Sequence, residues 1–466
     1  MEKKRILVTI SFSFSIRYLY RSGLLHKMRD FAVPVVAITW NQEDLINELK
    51  SDGFEVHLIP ESRWEKEYDA LRSSIDKWFY ANQSKTPSHK IQKKYLRQFL
   101  PLKRRLVKSL RDKYHTLILS LPGKAAKLFE LEKHLLKEFT NYVEMAALVK
   151  QLNIDALFTV TPFHRQEDIL LRACKDAGKK MITSILSFDN VTKRGWLPVE
   201  YDVYMLWNKY NQQELNRIYP LAIKKAKVIV TGAAQFDFYF NPDFLQDKNE
   251  WYKKTGFKDN GRQIILYAGG PRALLPQEPM FLKHIDAAIS NGTIHGKPVI
   301  LFRCHPMDKV ERWKEAVGAS DNIIYETSWT GGERLQNVNL TNDDIIKLCS
   351  NLAYTDVHIN TASTMTVDGS VYNKPQIGPA YDKSSYRSKL LQKMYRQEHF
   401  IPIMKAGGVK QATSREALID YINLALEQPE NFNSNSKKVL EEIITYTDGR
   451  STDRVAEILK TELEQL

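Results

Sequence analysis

The chain has 466 residues, 43% of them hydrophobic, which is too many for one small module and enough for two or three domains with cores of their own. Lysine and arginine number 68 against 55 aspartate and glutamate, and this net charge of +13 suits polyanions, phosphorylated substrates or an anionic membrane as partners. Cys174, Cys304 and Cys349 form no close pair, which excludes a disulfide framework and a zinc-ligand spacing and fits a reducing cytosol.

The chain opens on Met1-Glu2-Lys3-Lys4-Arg5 followed by an apolar run from Ile6 to Ile16, the outline of a secretory signal. Thr9, Ser11, Ser13 and Ser15 interrupt that run and Arg17 follows without a small-residue cleavage site, so a buried first strand is the better reading. No stretch of about 18 uncharged apolar residues occurs, so a membrane-spanning helix is not expected and any membrane contact is peripheral.

Short β-branched apolar runs then alternate with helix-length amphipathic segments, the signature of parallel sheets flanked by helices. In the first half, strands are predicted at Ile6–Ile10, Val35–Thr39, Glu55–Ile59, Ala156–Thr161, Met181–Ile185, Val203–Leu206 and Val228–Thr231. In the second half they are predicted at Ile264–Ala268, Val299–Arg303, Asn322–Tyr325, Val357–Asn360 and Gln376–Ile377. Asp237 to Gly261 lacks a strand pattern, so the boundary is set near Asn241, giving an acceptor domain at 1–240 and a nucleotide-donor domain at 241–466. From Ser414 onward the apolar stripes Ala417, Leu418, Tyr421, Ile422 and Ala425, then Val439, Leu440, Ile443 and Ile444, predict terminal helices.

Residues 62–150 break the alternation and read as a polar, helical insertion. Its most basic part, Lys85–Lys113, carries eleven lysines and arginines against Asp112 alone, a net +10 that leaves the rest of the chain nearly neutral. Ile91, Tyr95, Phe99, Leu106 and Leu110 recur at near-helical spacing among these cations, with a kink expected at Pro101. Such a segment suits an anionic membrane surface; a solvated face packed on the first domain is the alternative. Nucleic acid is disfavoured because no helix-turn-helix, zinc-finger, RNP or KH signature accompanies the charge.

In the second domain, three strand ends carry polar turns: Gly269-Gly270-Pro271, Arg303-Cys304-His305-Pro306, and Asn360-Thr361-Ala362-Ser363-Thr364 leading to Asp368. Ligands of open α/β sheets bind outside the carboxyl ends of strands, so these turns are expected to converge on one crevice. An arginine fork and a histidine N–H suit a diphosphate leaving group, and Ser363 and Thr364 fall where a helix start favours phosphate. Gly269 and Gly270 allow close backbone approach, and Asp368 is placed to reach ribose hydroxyls. Each has an ordinary counterpart: a structural ion pair, an N-cap, a tight turn. Neither GxGxxG nor GxxxxGK[ST] is present, which argues against a dinucleotide enzyme or a P-loop NTPase. In the first domain His164 and Asp189 each follow a strand and are the candidate general bases toward an acceptor hydroxyl, with an Asx-turn the alternative for Asp189.

Ser187-Phe188-Asp189-Asn190 with Thr192 and Gly195, then Trp207-Asn208, Val230-Thr231-Gly232-Ala233, Arg303-Cys304-His305-Pro306 and Ser363-Thr364-Met365 together resemble bacterial GT-B glycosyltransferases. The closer likeness is to surface-polysaccharide members with an SWDN-like segment, and the Arg-x-His-Pro and Ser-Thr elements are similar to those of CDP-glycerol glycerophosphotransferases. The resemblance implies two Rossmann-like domains facing an interdomain cleft. It also implies a nucleotide-sugar co-substrate held by Arg303, His305, Ser363, Thr364 and Asp368, and no obligatory metal, since no Asp-x-Asp loop is present. Phe188 stands where the family has Trp, Cys304 where Pro is common, and Asp368 where a ribose-binding Glu is usual. The expected enzyme moves a sugar from a nucleotide-sugar donor to a glycan or lipid-linked acceptor. It is expected in the cytoplasm, peripheral at the inner face of the plasma membrane through Lys85–Lys113. A CDP-alcohol (polyol phosphate) transferase, a UDP-amino-sugar epimerase and a non-catalytic membrane-associated scaffold are the alternatives.

Overall fold

The computed structural model describes residues 3–258, 261–318, 320–329 and 338–466, so Met1 and Glu2 of the signal-like start lie outside the described residues. The chain divides into two compact units, one of residues 1–89, 101–235 and 450–466, the other of residues 90–100 and 236–449.

The first unit is built on seven parallel strands: β1 (Lys4–Ile10), β2 (Ala32–Ile38), β3 (Glu55–Leu58), β4 (Ala156–Thr159), β5 (Lys180–Ser184), β6 (Val203–Leu206) and β7 (Lys227–Val230). Their order is β3-β2-β1-β4-β5-β6-β7. Leu7, Val35, Leu157 and Met181 are fully buried, which is why these strands read as unbroken apolar runs. The chain builds outward from β1 to β3 and then returns to pair β4 with β1, Ile6 opposite Ala156. The carboxyl ends of β1 and β4 therefore form a topological switch point. The insertion occupies that return.

The second unit holds six parallel strands, β8 (Ile264–Ala268), β9 (Val299–Arg303), β10 (Ile323–Glu326), β11 (Val357–Ile359), β12 (Gln376–Pro379) and β13 (Lys410–Ala412), in the order β10-β9-β8-β11-β12-β13. The order in which strands are added reverses at β8, which β9 and β11 flank, both parallel to it. The edge strand β13 is absent from the sequence reading because Lys-Gln-Ala carries no apolar run to mark it.

Two placements depart from that reading. The expected basic helix is two helices, Pro87–Arg97 and Leu102–Leu119, separated as Pro101 requires. Residues 90–100 belong to the second unit: Tyr95 is fully buried in its core, Ile91, Leu96 and Phe99 pack against that core, and the Arg387 guanidinium lies over Phe99 at 5.2 Å. Leu106 and Leu110, predicted to share the first helix's apolar face, are exposed instead. The last helix, Ser451–Glu464, belongs to the first unit, not to residues 241–466 as a single body. It is held by Lys27 to Asp453 at 2.8 Å and by Lys180 and Lys227 to Glu462 at 3.0 and 2.6 Å, with Val455, Leu459 and Leu463 buried.

Candidate functional site

In the second unit, the turns after β8, β9 and β11 leave three adjacent parallel strands on the same edge. Neighbouring strands lie about 4.8 Å apart, so Gly269-Gly270, Arg303–His305 and Asn360–Thr364 leave the sheet within roughly 10 Å of one another. The sheet order thus gathers segments that are up to ninety-odd positions apart in the chain, at the place where open α/β sheets bind ligands.

His305 is the best-defined donor at this edge. Its Nδ1 accepts the backbone N–H of Met307 at 3.0 Å, so in the neutral ring the proton sits on Nε2. Burial, together with the positive charges of Arg303 and Arg312, pushes its pKa down to about 4, against the opposing pull of Asp308. At neutral pH His305 is an uncharged N–H donor, as expected from sequence of a histidine beside a diphosphate.

Arg303, at the end of β9, is almost wholly buried. One guanidinium nitrogen donates to the Ser328 carbonyl at 3.1 Å and the group lies over Trp329 at 5.2 Å. Burial lowers its pKa, while Glu326, Tyr239, Asp344 and Asp368 oppose the shift. Its charge therefore acts from inside the strand-end layer.

Asp368 is buried and its carboxylate accepts the hydroxyl of Tyr239, so the ribose-binding role has a structural competitor. Ser363 takes the backbone N–H of Met365 on its hydroxyl at 3.3 Å. Thr364 is exposed at the start of the helix Met365–Val371 and makes no side-chain cap bond. The preceding Ala362 has φ of 47°, a left-handed turn that a non-glycine residue adopts at a cost.

Both glycines after β8 sit close to neighbouring side chains, which would have to shift to admit a Cβ. A Cβ at Gly269 would come within 3.0 Å of Trp313, and one at Gly270 within 2.6 Å of Leu275. The Gly270 N–H donates to Glu278 at 2.7 Å, and its carbonyl accepts from Arg312 at 3.1 Å. Close approach here is to the protein itself, and the Gly270 amide is committed to Glu278. Glu278 was not anticipated from sequence. It is fully buried, its Oε1 has no hydrogen-bond partner among the described residues, and burial raises its pKa to about 8.

In the first unit His164 follows β4, at the switch point, and its ring lies 5.9 Å from that of Phe12, which follows β1. Burial and the Arg194 charge push its pKa down to about 4, and its Nδ1 is buried without a hydrogen-bond partner. Asp189 lies one strand further along and is held by Lys193 at 2.9 Å and by the Asn190 amide at 3.0 Å. The Asp189 carboxylate is thus already engaged, whereas among the described residues His164 Nδ1 is not. A second group missed from sequence, Glu167, is buried beneath this edge and accepts hydroxyls from Thr9 at 3.1 Å, Thr159 at 2.6 Å and Thr161. Burial raises its pKa despite those bonds. The signal for Glu167 in sequence was faint: Thr-x-Thr at a strand end six residues before a glutamate. Among the described residues no group of three or more His, Cys, Asp or Glu is placed to hold a metal ion.

The two parallel sheets with their flanking helices are Rossmann-like α/β units of the GT-B fold class. The family model for CDP-Glycerol:Poly(glycerophosphate) glycerophosphotransferase matches residues 179–461, more than half of the chain, and the chain belongs to that family. It is a glycosyltransferase-type enzyme of cell-surface polymer biosynthesis. Among solved structures the chain is similar to the UDP co-structure of S. aureus MnaA, at 12% identity and a TM-score of 0.57, covering 99% of this chain and 98% of that one. A putative UDP-N-acetylglucosamine 2-epimerase from Listeria monocytogenes matches at 12% and 0.57, covering 100% and 98%. A glycosyltransferase from Rickettsia africae matches at 13% and 0.51, covering 100% and 99%. At these identities the likeness is one of fold. No curated protein matches. Among the described residues no helix is long and apolar enough to cross a membrane.

Proposed function

We propose that the chain transfers a sugar from a nucleotide-sugar donor to a hydroxyl of a glycan or lipid-linked acceptor during assembly of a cell-surface polymer. The observation that carries this reading is the side-by-side exit of three polar turns around β8, with a neutral His305 among them. The diphosphate of the donor would lie across these turns. As the glycosidic bond to the donor breaks, negative charge grows on the departing diphosphate. The Nε2–H of His305, the interior charge of Arg303 and the helix start at Thr364 oppose it, with no obligatory metal ion. Asp368 would release Tyr239 to meet the ribose. His164 would take the acceptor proton as the hydroxyl attacks, with Asp189 the alternative base. The enzyme would work in the cytoplasm, peripheral at the inner face of the plasma membrane, where a lipid-linked acceptor is met.

Transfer of a polyol phosphate from a CDP-alcohol is a second reading, favoured by the family match. There the acceptor hydroxyl attacks phosphorus, and CMP leaves in place of a nucleoside diphosphate. Thermal shift with UDP, GDP and CDP, followed by turnover of the matching sugar and alcohol donors, separates the two readings. Replacing His305 by asparagine keeps an acceptor for the Met307 N–H and removes the Nε2–H; kcat is expected to fall about 100-fold with folding intact. A protein that answers to no nucleotide, and whose His305→Asn form behaves as wild type, is a scaffold and not this enzyme.

A further inference from the structure

The helix Leu102–Leu119 is almost bare on the molecular surface, yet it is not polar. Leu102, Leu106, Val107, Leu110, Tyr114 and Leu117 are each more than half exposed, Leu110 by 67% and Leu117 by 69%. At 100° per residue these six occupy one arc of about 140° along the helix. Arg104, Arg105, Lys108 and Arg111 lie outside that arc, Lys103 and Lys113 fall within it, and Asp112 is the helix's single acid. Leu119 is buried, which fixes the helix at its carboxyl end and leaves the apolar arc of the preceding turns uncovered.

Exposed apolar residues scattered singly need no explanation, but a continuous stripe on one helix marks an interaction surface. Its flanking charge decides the occupant. A second copy of the chain would bring the same cations against it, and a nucleic acid would meet the cations but leave the leucines in water. An interface of anionic headgroups over acyl chains answers both halves at once, and long lysine side chains inside the arc can extend back to the headgroups.

We propose that Leu102–Leu119 lies in the plane of an anionic bilayer surface, with its leucine arc sunk to the acyl boundary and its arginines among the headgroups. This deepens the peripheral attachment in the proposed function by assigning it to one helix. It sets apart the neighbouring Pro87–Arg97 helix, whose apolar face is already used in a protein core.

The test is cosedimentation of the full chain with phosphatidylcholine vesicles, with and without phosphatidylglycerol, in the absence of any donor. Binding is expected when phosphatidylglycerol is present and should weaken with added salt. The triple change Leu106→Glu, Leu110→Glu, Leu117→Glu should reduce it about tenfold or more, with Tm unchanged because these positions are exposed. The control Lys90→Glu, Lys94→Glu changes the net charge by −4, against −3 for the triple variant, and should keep most of the binding. Equal binding of the triple variant and wild type, or equal loss in the control, overturns the assignment to this helix. So does a wild-type protein that ignores vesicles but self-associates in sedimentation velocity through the same leucines. Vesicle binding is read without substrate, so failure of the donor chemistry and failure of this inference remain distinguishable.

Discussion

Glu278 shows what a single side chain does when its surroundings withhold water. Its folded pKa of about 8 stands against 4.5 for the exposed group, so the folded protein keeps a proton that the unfolded chain gives up between those values. Stability must then fall as pH rises from 4.5 to 8. Replacing Glu278 by glutamine retains an acceptor for the Gly270 N–H and removes the titration, while Arg312 keeps Asp308 at 2.5 Å. The variant is expected to match wild type in unfolding free energy below pH 4.5 and to exceed it above pH 8, by as much as about 5 kcal/mol. A gap independent of pH would show that the carboxyl does not titrate in this window. None of this is legible in Gln277-Glu278-Pro279, because burial comes from residues far away in the chain. The same holds for the two candidate bases: sequence names His164 and Asp189 alike, and only the 2.9 Å contact of Asp189 with Lys193 tells them apart.

Among elements, the Ser187–Asn190 segment after β5 carries much of the family resemblance, and its neighbours show what holds it in place. Trp207 donates its indole N–H to the Ile185 carbonyl at 2.7 Å, Asn211 its amide to the Phe188 carbonyl at 2.7 Å, and Gln235 its amide to the Leu186 carbonyl at 2.6 Å. Asn208 begins the helix Lys209–Ile218 by accepting the Asn211 backbone N–H at 2.9 Å. The Trp207-Asn208 pair thus braces a loop and caps a helix; neither side chain is required to touch a substrate. Asn208→Ala is expected to cost about 1 kcal/mol in urea unfolding and to lower kcat through disorder of Ser187–Asn190. Unchanged stability would mean that the cap is redundant. Among the described residues twelve of the thirteen strands were foreseeable, the central ones because a strand buried on both faces must be apolar throughout, and the half-exposed edges β3, β7 and β10 because they keep β-branched residues that the polar edge strand β13 lacks. Pro101 announced a break in the basic insertion, but not that one side would be buried and the other exposed.

At the scale of the whole molecule, the two units are not consecutive halves of the chain. Residues 90–100 are lent to the second unit, and residues 450–466 return to the first. Val455, Leu459 and Leu463 contribute roughly 1.5–3 kcal/mol each by burial, an amount comparable with the 5–15 kcal/mol that holds a typical domain folded. Removing residues 450–466 is therefore expected to lower the melting transition of the first unit and to open β5–β7 to limited proteolysis, while residues 236–449 stay resistant. Loss of protection in the second unit instead would show that the last helix supports the wrong body.

The amino-acid sequence by itself determined the alternation of strand and helix, the two parallel sheets and the polar turns at strand ends. Each is written locally, in periodicity, β-branching and turn residues, and so survives reading along the chain. Tertiary structure decided which turns become neighbours around β8, that His305 is neutral and carries its proton on Nε2, that Glu278 and Glu167 are buried, and which basic helix leaves its leucines exposed on the protein surface. Those properties depend on strand order and on the exclusion of water by residues distant in sequence, and neither quantity has a local signature.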